Sequence, residues 1–219
     1  MPKPERLSKR PFDLAILILA HVILFPLWLL LWTLIPTMIW LDDRGPVFFR
    51  QTRLGKGGNK FTVLKFRTMV PDAERLGLPW TTEGDSRLTR VGKVLRRTAL
   101  DELPQIVNLW RGDISFVGPR TLPIPMHEGY VAEEPAFGQR LQVRPGLTGL
   151  AQLSLPRHCS ARMRLRYDLL YVRNSNLCLD LKLIVVSVWL TLTGRWGTGM
   201  RAPQRRIPTE PPDKESKLA

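Results

Sequence analysis

Two adjacent carboxylates, Asp101 and Glu102, follow directly on a run of cations, and that juxtaposition is where this chain could do chemistry. Residues 85–98 supply Arg87, Arg90, Lys93, Arg96 and Arg97 against a single acid. Cations beside carboxylates suit a pyrophosphate and a divalent metal, because the cations and the metal suppress repulsion between acid and phosphate. Two plainer readings use the same residues. An Asp at a helix start commonly caps the helix, and a basic helix can lie on anionic lipid.

The stretch 98–120, TALDELPQIVNLWRGDISFVGPR, must position the pair. Leu103, Ile106, Val107 and Trp110 fall on one helical face. Pro104 fits only a first turn, where its missing N–H has no partner, and Gly112 ends the helix. The carboxylates therefore sit at or beside a helix N-terminus, whose partial positive charge favours their ionised form.

Upstream, residues 14–41 contain no formally charged side chain, with His21 the one ionisable group. Such a run is expected to enter a membrane rather than to be a cleaved signal peptide. Pro26 deletes the hydrogen bond to the Val22 carbonyl and predicts a bend. It divides the run into arms, 14–25 and 27–41, of about 18 and about 22 Å, short of the ~30 Å hydrocarbon core. Lys3, Arg6, Lys9 and Arg10 precede the run, and Arg44, Arg50, Arg53, Lys56, Lys60, Lys65 and Arg67 follow it. A spanning helix would export one basic flank, whereas a helix-break-helix dipping into one leaflet exports neither, so the re-entrant form is expected.

In the remainder, residues 47–49 and 61–64 are expected strands around a glycine-rich turn at 55–59. Residues 65–69, KFRTM, alternate basic and apolar side chains. They fit a strand with a solvated basic face, or one that brings Lys65 or Arg67 to a phosphate. Residues 71–84 are polar and loop-like. Pro123 and Pro125 are expected to break regular structure, and residues 144–149, RPGLTG, to form a rigid turn carrying Arg144. Helices are expected over 161–173 and 177–193, the latter in the core or on a membrane interface. The last residues, 195–219, read as a disordered tail. The expected organisation is a basic N-terminus and membrane segment (1–43), a catalytic domain (44–194) and that tail.

The chain has 219 residues and a formal net charge of +14, which points to a polyanionic partner and a single substantial domain. Nucleic acid is disfavoured, since no recognition motif accompanies the charge. Cys159 and Cys178 show no disulfide or zinc pattern, in keeping with a reducing compartment.

In this order the pieces resemble the monotopic phosphoglycosyl transferases, the bacterial initiating sugar transferases. The matching pieces are Lys9-Arg10 with Phe12-Asp13, the apolar run with Pro26, GPVFFRQTRLG, KFRTM, Arg87 through LDELPQ, RGDISFVGPR, RPGLTGLAQ and YDLLYVRN. The resemblance implies an α+β, mainly helical monotopic membrane protein, with a re-entrant helix-break-helix at Pro26, amphipathic interface helices and a small β-hairpin. It implies transfer of a sugar-1-phosphate from a nucleoside diphosphate sugar, typically a UDP-sugar, to polyprenyl phosphate at the cytoplasmic face of the bacterial inner membrane. Asp101 would be the nucleophile, Glu102 its catalytic neighbour, and Mg²⁺ the cofactor, held at Asp101. Lys65, Arg96, Arg120 and Arg144 would meet phosphates. Anionic lipids and a second copy of the chain are further candidate partners. A non-catalytic basic membrane-surface protein is the competing expectation. Three places depart from the family pattern: Phe25 where a serine is frequent, Thr121 where proline is usual, and LSLPRHCS (153–160) in place of an Asn-Gly-Arg-Asn-like run.

Overall fold

A computed structural model describes residues 6–71, 73, 85–156 and 159–193; the expected tail and most of the loop at 71–84 lie outside them. The apolar run forms two helices, α1 (Lys9–Ile23) and α2 (Phe25–Asp43). They are broken at Leu24, slightly before the expected point, because Pro26 is accommodated in the first turn of α2 rather than in mid-helix. The break is held by Trp28, whose indole N–H donates to the Ala20 carbonyl at 3.2 Å and whose ring stacks on His21 at 5.2 Å. Phe25 is 60% exposed and takes no part in it. The expectation that both arms are too short needs correction. α2 has 19 residues and is long and apolar enough to cross a membrane.

What distinguishes this pair is that both its ends are tied to one body. At the root of α1, Lys9 Nζ donates to Asp180 Oδ2 at 2.9 Å, and Arg6 donates to the same oxygen at 3.2 Å. Tyr171 O–H donates to Asp180 Oδ1 at 2.8 Å, and Asp180 is 0% exposed. At the foot of α2, Asp43 is gripped by both guanidinium nitrogens of Arg67, and Asp42 accepts the Val91 N–H at 3.0 Å. Between these roots the apolar side chains of Ile18, Val22, Ile23, Leu27 and Leu30 stand exposed.

Strands β1 (Phe48–Leu54) and β2 (Lys60–Phe66) pair antiparallel, with Leu54 opposite Lys60 and Phe48 opposite Phe66. The connecting turn needs its glycines, since Gly57 and Gly58 have φ of 67° and 80°. Phe66, Leu95, Ile35 and Ile39 form a core that seats the lower half of α2 on the hairpin. The basic residues around Phe66 do not form a solvated face: Arg67 is buried on Asp43, and Lys65, half-buried, is paired with Glu102.

α3 (Arg90–Thr98) starts at Thr89, whose hydroxyl accepts the Gly92 N–H at 2.9 Å. A Cβ on Gly92 would lie 2.0 Å from the Thr68 carbonyl, so only glycine lets α3 press this close to the end of β2. Ala99, with φ 57°, then reverses the chain into a 3₁₀ turn (Leu100–Gln105) followed by α4 (Ile106–Arg111) and Gly112 at φ 82°. Of the expected apolar face, Leu103 and Ile106 are half-buried against core clusters, but the fully buried positions are others. Pro104, Gln105, Asn108 and Leu109 are buried, and Trp110 is 42% exposed, edge-on to His21. The reason is Asn108, which takes the Leu64 N–H and donates to the Thr62 carbonyl and Asp113, fastening α4 to β2 by its polar side. The last carbonyls of α4, Leu109 and Trp110, are capped by Arg10 from α1, each at 2.6 Å.

Two expectations downstream are corrected. The prolines at 123 and 125 open a helix, α5 (Ile124–Glu133), because Pro125 again occupies a first turn. Residues 144–149 are not a free turn: β4 (Gly146–Thr148) pairs parallel with β3 (Ser115–Val117). A Cβ at Gly146 would lie 2.0 Å from the Gly118 N, so glycine rather than strand propensity permits the pairing. A 3₁₀ segment (Pro135–Gln142), α6 (Leu150–Ser154), α7 (Ala161–Asn174) and α8 (Leu177–Thr193) complete a mostly helical α+β fold. Val117, Val143, Leu153, Tyr171, Val172, Leu183 and Leu190 form their core. α8 takes the expected core position on one side, with Leu183 and Leu190 buried, and leaves Leu181, Val185, Val188 and Trp189 exposed on the other.

Candidate active site

Asp101 and Glu102 lie in the 3₁₀ turn, between the last turn of α3 and the first of α4, against β2. Glu102 is occupied. Its Oε1 accepts from Lys65 Nζ at 2.6 Å and from Arg120 Nη2 at 3.1 Å. Burial alone would push its carboxyl up, but the two cations overrule it and hold Glu102 well below the usual carboxylate range. Glu102 thus acts as the post to which the two cations Lys65 and Arg120 are tied.

Asp101 is the opposite case. Half-buried, its carboxylate accepts no hydrogen bond among the described residues, and no cap is formed. Burial is the largest influence and raises its pKa above the ordinary 3.8; Lys65, Arg96 and Arg120 pull it down, and Glu102 pushes it up. Desolvation thus outweighs the pull of the three cations at this carboxyl. A carboxylate with free lone pairs and raised basicity, surrounded by three cations, can attack an electrophile bearing negative charge.

The sequence-derived phosphate residues separate into two groups. Lys65, Arg96 and Arg120 converge electrostatically on Asp101. Arg96 reaches it from α3, its Nε donating to Thr68 Oγ1 at 2.8 Å, which fixes the side chain over the end of β2. Arg144 is not among the charges acting on Asp101 or Glu102. It lines a small cavity with Arg6, Lys9, Tyr171 and Ser175, and its charge acts on Asp13. Arg67, the alternative to Lys65 in the alternating stretch, is committed to Asp43 and the Pro46 carbonyl.

Sequence reasoning did not single out Arg53 or Arg140. Arg53 Nη1 donates to both the carbonyl and the hydroxyl of Thr121, each at 2.9 Å, and Nε and Nη2 hold Gln51 Oε1. Burial, then the neighbouring charge of Arg120, brings its pKa down to about 10, so it stays a cation at neutral pH. Arg140, 2% exposed, donates to Asp168 at 2.7 Å and to the Arg120 carbonyl at 2.7 Å. The usable signal was that Arg53 and Asp168 fall inside the matching pieces GPVFFRQTRLG and YDLLYVRN.

Among the described residues no group of three His, Cys, Asp or Glu side chains could by itself cage a metal. The open carboxylate of Asp101 fits Mg²⁺ in donor type, since that ion commonly takes one or two carboxylates and completes its shell with water and substrate oxygens.

The bacterial sugar transferase family matches residues 4–194. An exopolysaccharide production protein of Rhizobium leguminosarum bv. phaseoli is 41% identical, over 84% of this chain and 95% of its own. A UDP-glucose:undecaprenyl-phosphate glucose-1-phosphate transferase of Caulobacter vibrioides is 40% identical, over 85% of this chain and 70% of its own. A UDP-N-acetylgalactosamine-undecaprenyl-phosphate N-acetylgalactosaminephosphotransferase of Aeromonas hydrophila is 38% identical over 81% of this chain, which spans only 43% of that relative's length. With this extent of match, the chain belongs to the bacterial sugar transferase family.

Proposed function

We propose that the chain transfers a sugar-1-phosphate from a UDP-sugar to a polyprenyl phosphate, undecaprenyl phosphate, through a covalent intermediate on Asp101. An Asp101 oxygen attacks the sugar-bearing phosphorus, and the bond to the bridging oxygen breaks. That oxygen leaves with its electron pair on the nucleoside monophosphate. A phosphate oxygen of the lipid then attacks the same phosphorus and displaces Asp101, regenerating the carboxylate. Lys65, Arg96 and Arg120 offset the charge of the diphosphate during approach. Glu102 keeps Lys65 and Arg120 in place between turnovers. Mg²⁺, held by Asp101 together with substrate phosphate oxygens, would add Lewis-acid neutralisation of the diphosphate.

The carrying observation is the half-buried Asp101, free of hydrogen bonds among the described residues and in the field of three cations. A non-catalytic recruiting surface has no use for such a carboxylate. Donor and acceptor classes are supported by the names of the Caulobacter and Aeromonas relatives. In the departing run after Gln152, Arg157 and His158 lie outside the described residues. The test is a panel of UDP-sugars with Mg²⁺ and undecaprenyl phosphate. UMP release is expected with at least one, and omission of the lipid should leave a sugar-phosphate mass on the peptide bearing Asp101. Release without any such adduct would refute the covalent route, and absence of release across the panel would refute the activity.

We further infer that α1 and α2 dip into the cytoplasmic leaflet and return. Roots tied to one domain support this, because a spanning helix must leave its two ends on opposite faces. Arg90, Lys93 and Arg97, exposed on α3, are suited to anionic headgroups at that surface. With Cys159 and Cys178 replaced by serine, single cysteines at Leu7 and Arg50 are expected to react with an impermeant maleimide only from the cytoplasmic side. Labelling from opposite faces would exclude the re-entrant form.

A further inference from the structure

We propose that Arg53 and Arg140 are positioning residues that preset Arg120 for the donor diphosphate, with Thr121 as the hydroxyl leg of that device. The inference rests on the reading above only in taking a diphosphate as the ligand of Arg120. Two consecutive carbonyls, those of Arg120 and Thr121, are each held by a different guanidinium arriving from elsewhere in the fold. One comes from the end of β1, the other from the 3₁₀ segment 135–142. Neither is itself free to wander. Arg53 is fixed at its other nitrogens by Gln51. Arg140 is fixed by Asp168 on α7 and lies 5.0 Å from the centre of the Phe137 ring. By contrast, the Arg120 side chain is 37% exposed and touches Glu102 from the open side. The arrangement is an exposed cationic arm on a clamped base.

Clamping matters because Arg53 and Arg120 repel each other, and Arg53 is attracted to Glu102. Left loose, the turn would relax by moving the Arg120 guanidinium away from Arg53 and from Asp101. The two carbonyl grips hold like charges close before any anion arrives, and a diphosphate then gains from both without reorganising the site. Thr121 has a particular part in this chain. The Thr121 hydroxyl gives Arg53 a second acceptor, 2.9 Å from the nitrogen that holds its carbonyl. It also links the hairpin β1–β2, which carries Lys65, to the turn that carries Arg120.

The test uses the full chain in nanodiscs and UDP as the probe, read by calorimetry, so that it does not depend on turnover. Thr121→Val keeps shape and removes the hydroxyl; UDP binding is expected to weaken about three- to tenfold. Thr121→Ser should restore it. Arg140→Lys, which keeps charge but loses the fork that spans Asp168 and the Arg120 carbonyl, should weaken UDP binding at least as much. The positioning role is read in an Arg120→Ala background, where Thr121→Val should no longer change UDP affinity. Three outcomes would overturn the proposal: unchanged affinity in Thr121→Val, a lowered Tm with unchanged affinity, or an undiminished effect in the Arg120→Ala background. If wild type binds UDP but releases no UMP from any UDP-sugar, the transferase reading fails while the clamp is still judged by these affinities.

Discussion

Asp101→Asn is expected to abolish UMP release, by at least about 10³-fold, and at the same time to raise the melting temperature. The first effect follows because the amide cannot form the phosphosugar bond. The second follows from the direction of the Asp101 shift. Burial raises its pKa above 3.8 against the pull of three cations, so the folded state binds that proton more tightly than the unfolded chain does. The ionised carboxylate is thus a net cost to the fold at neutral pH. That cost is absent below the unfolded value and grows as pH rises towards the raised folded value. The Tm gap between variant and wild type should therefore narrow as the solution is acidified. A variant less stable than wild type at pH 7 would mean that Asp101 is held by favourable contacts and serves the fold, not the reaction.

Asp180→Ala is expected to produce the largest loss of stability of any single change. The Asp180 carboxylate, 0% exposed, receives Lys9, Arg6 and Tyr171. Its removal strands the Lys9 ammonium, itself 5% exposed, beside only the more distant carboxylate of Asp13 at 3.8 Å. Breaking one partner of a buried pair costs about 3–5 kcal/mol. At roughly 2–4 °C per kcal/mol for a domain of this size, the midpoint should fall by roughly 6–20 °C. Lys9→Met combined with Asp180→Ala should lose less than the sum of the single changes, because the stranded charge is gone. Thermal unfolding in nanodiscs reads both. A drop within a degree or two for Asp180→Ala would show that α1 does not depend on this root.

The features readable in the sequence were those that act locally. Pro26, Gly112 and the glycines of the hairpin turn state their conformational role by type, and helices α7 and α8 run where periodicity places them. Asp101 and Glu102 could be nominated because the pair follows the cation run that holds Arg96, and Lys65 because it alternates with apolar residues; Arg120 has no charged neighbour and was nominated by the family resemblance. Features set by distant partners were not readable. Asn108 looks like a polar interruption until β2 is beside it, and it turns α4 onto a face that apolar periodicity does not indicate. Gly146 looks like a turn former until Gly118 lies against it. Arg144 looks like one more phosphate arginine, yet it lies on the Asp13 side of the molecule because β4 is a strand and not a loop. Arg53 and Arg140 act through carbonyls of residues far from them in sequence, and no spacing rule reports such a contact.

The lock between Lys9 and Asp180 has a consequence for how the protein is made, since 171 positions separate the two residues. During synthesis the apolar hairpin leaves the ribosome first, and its root cannot close until α8 has emerged. Throughout that interval Lys9 and its basic neighbours are unpaired, and hydrated cations of this kind resist translocation. On the re-entrant reading proposed above, charge would hold the nascent hairpin on the side where it is made, and the same lysine later becomes the buried anchor at Asp180.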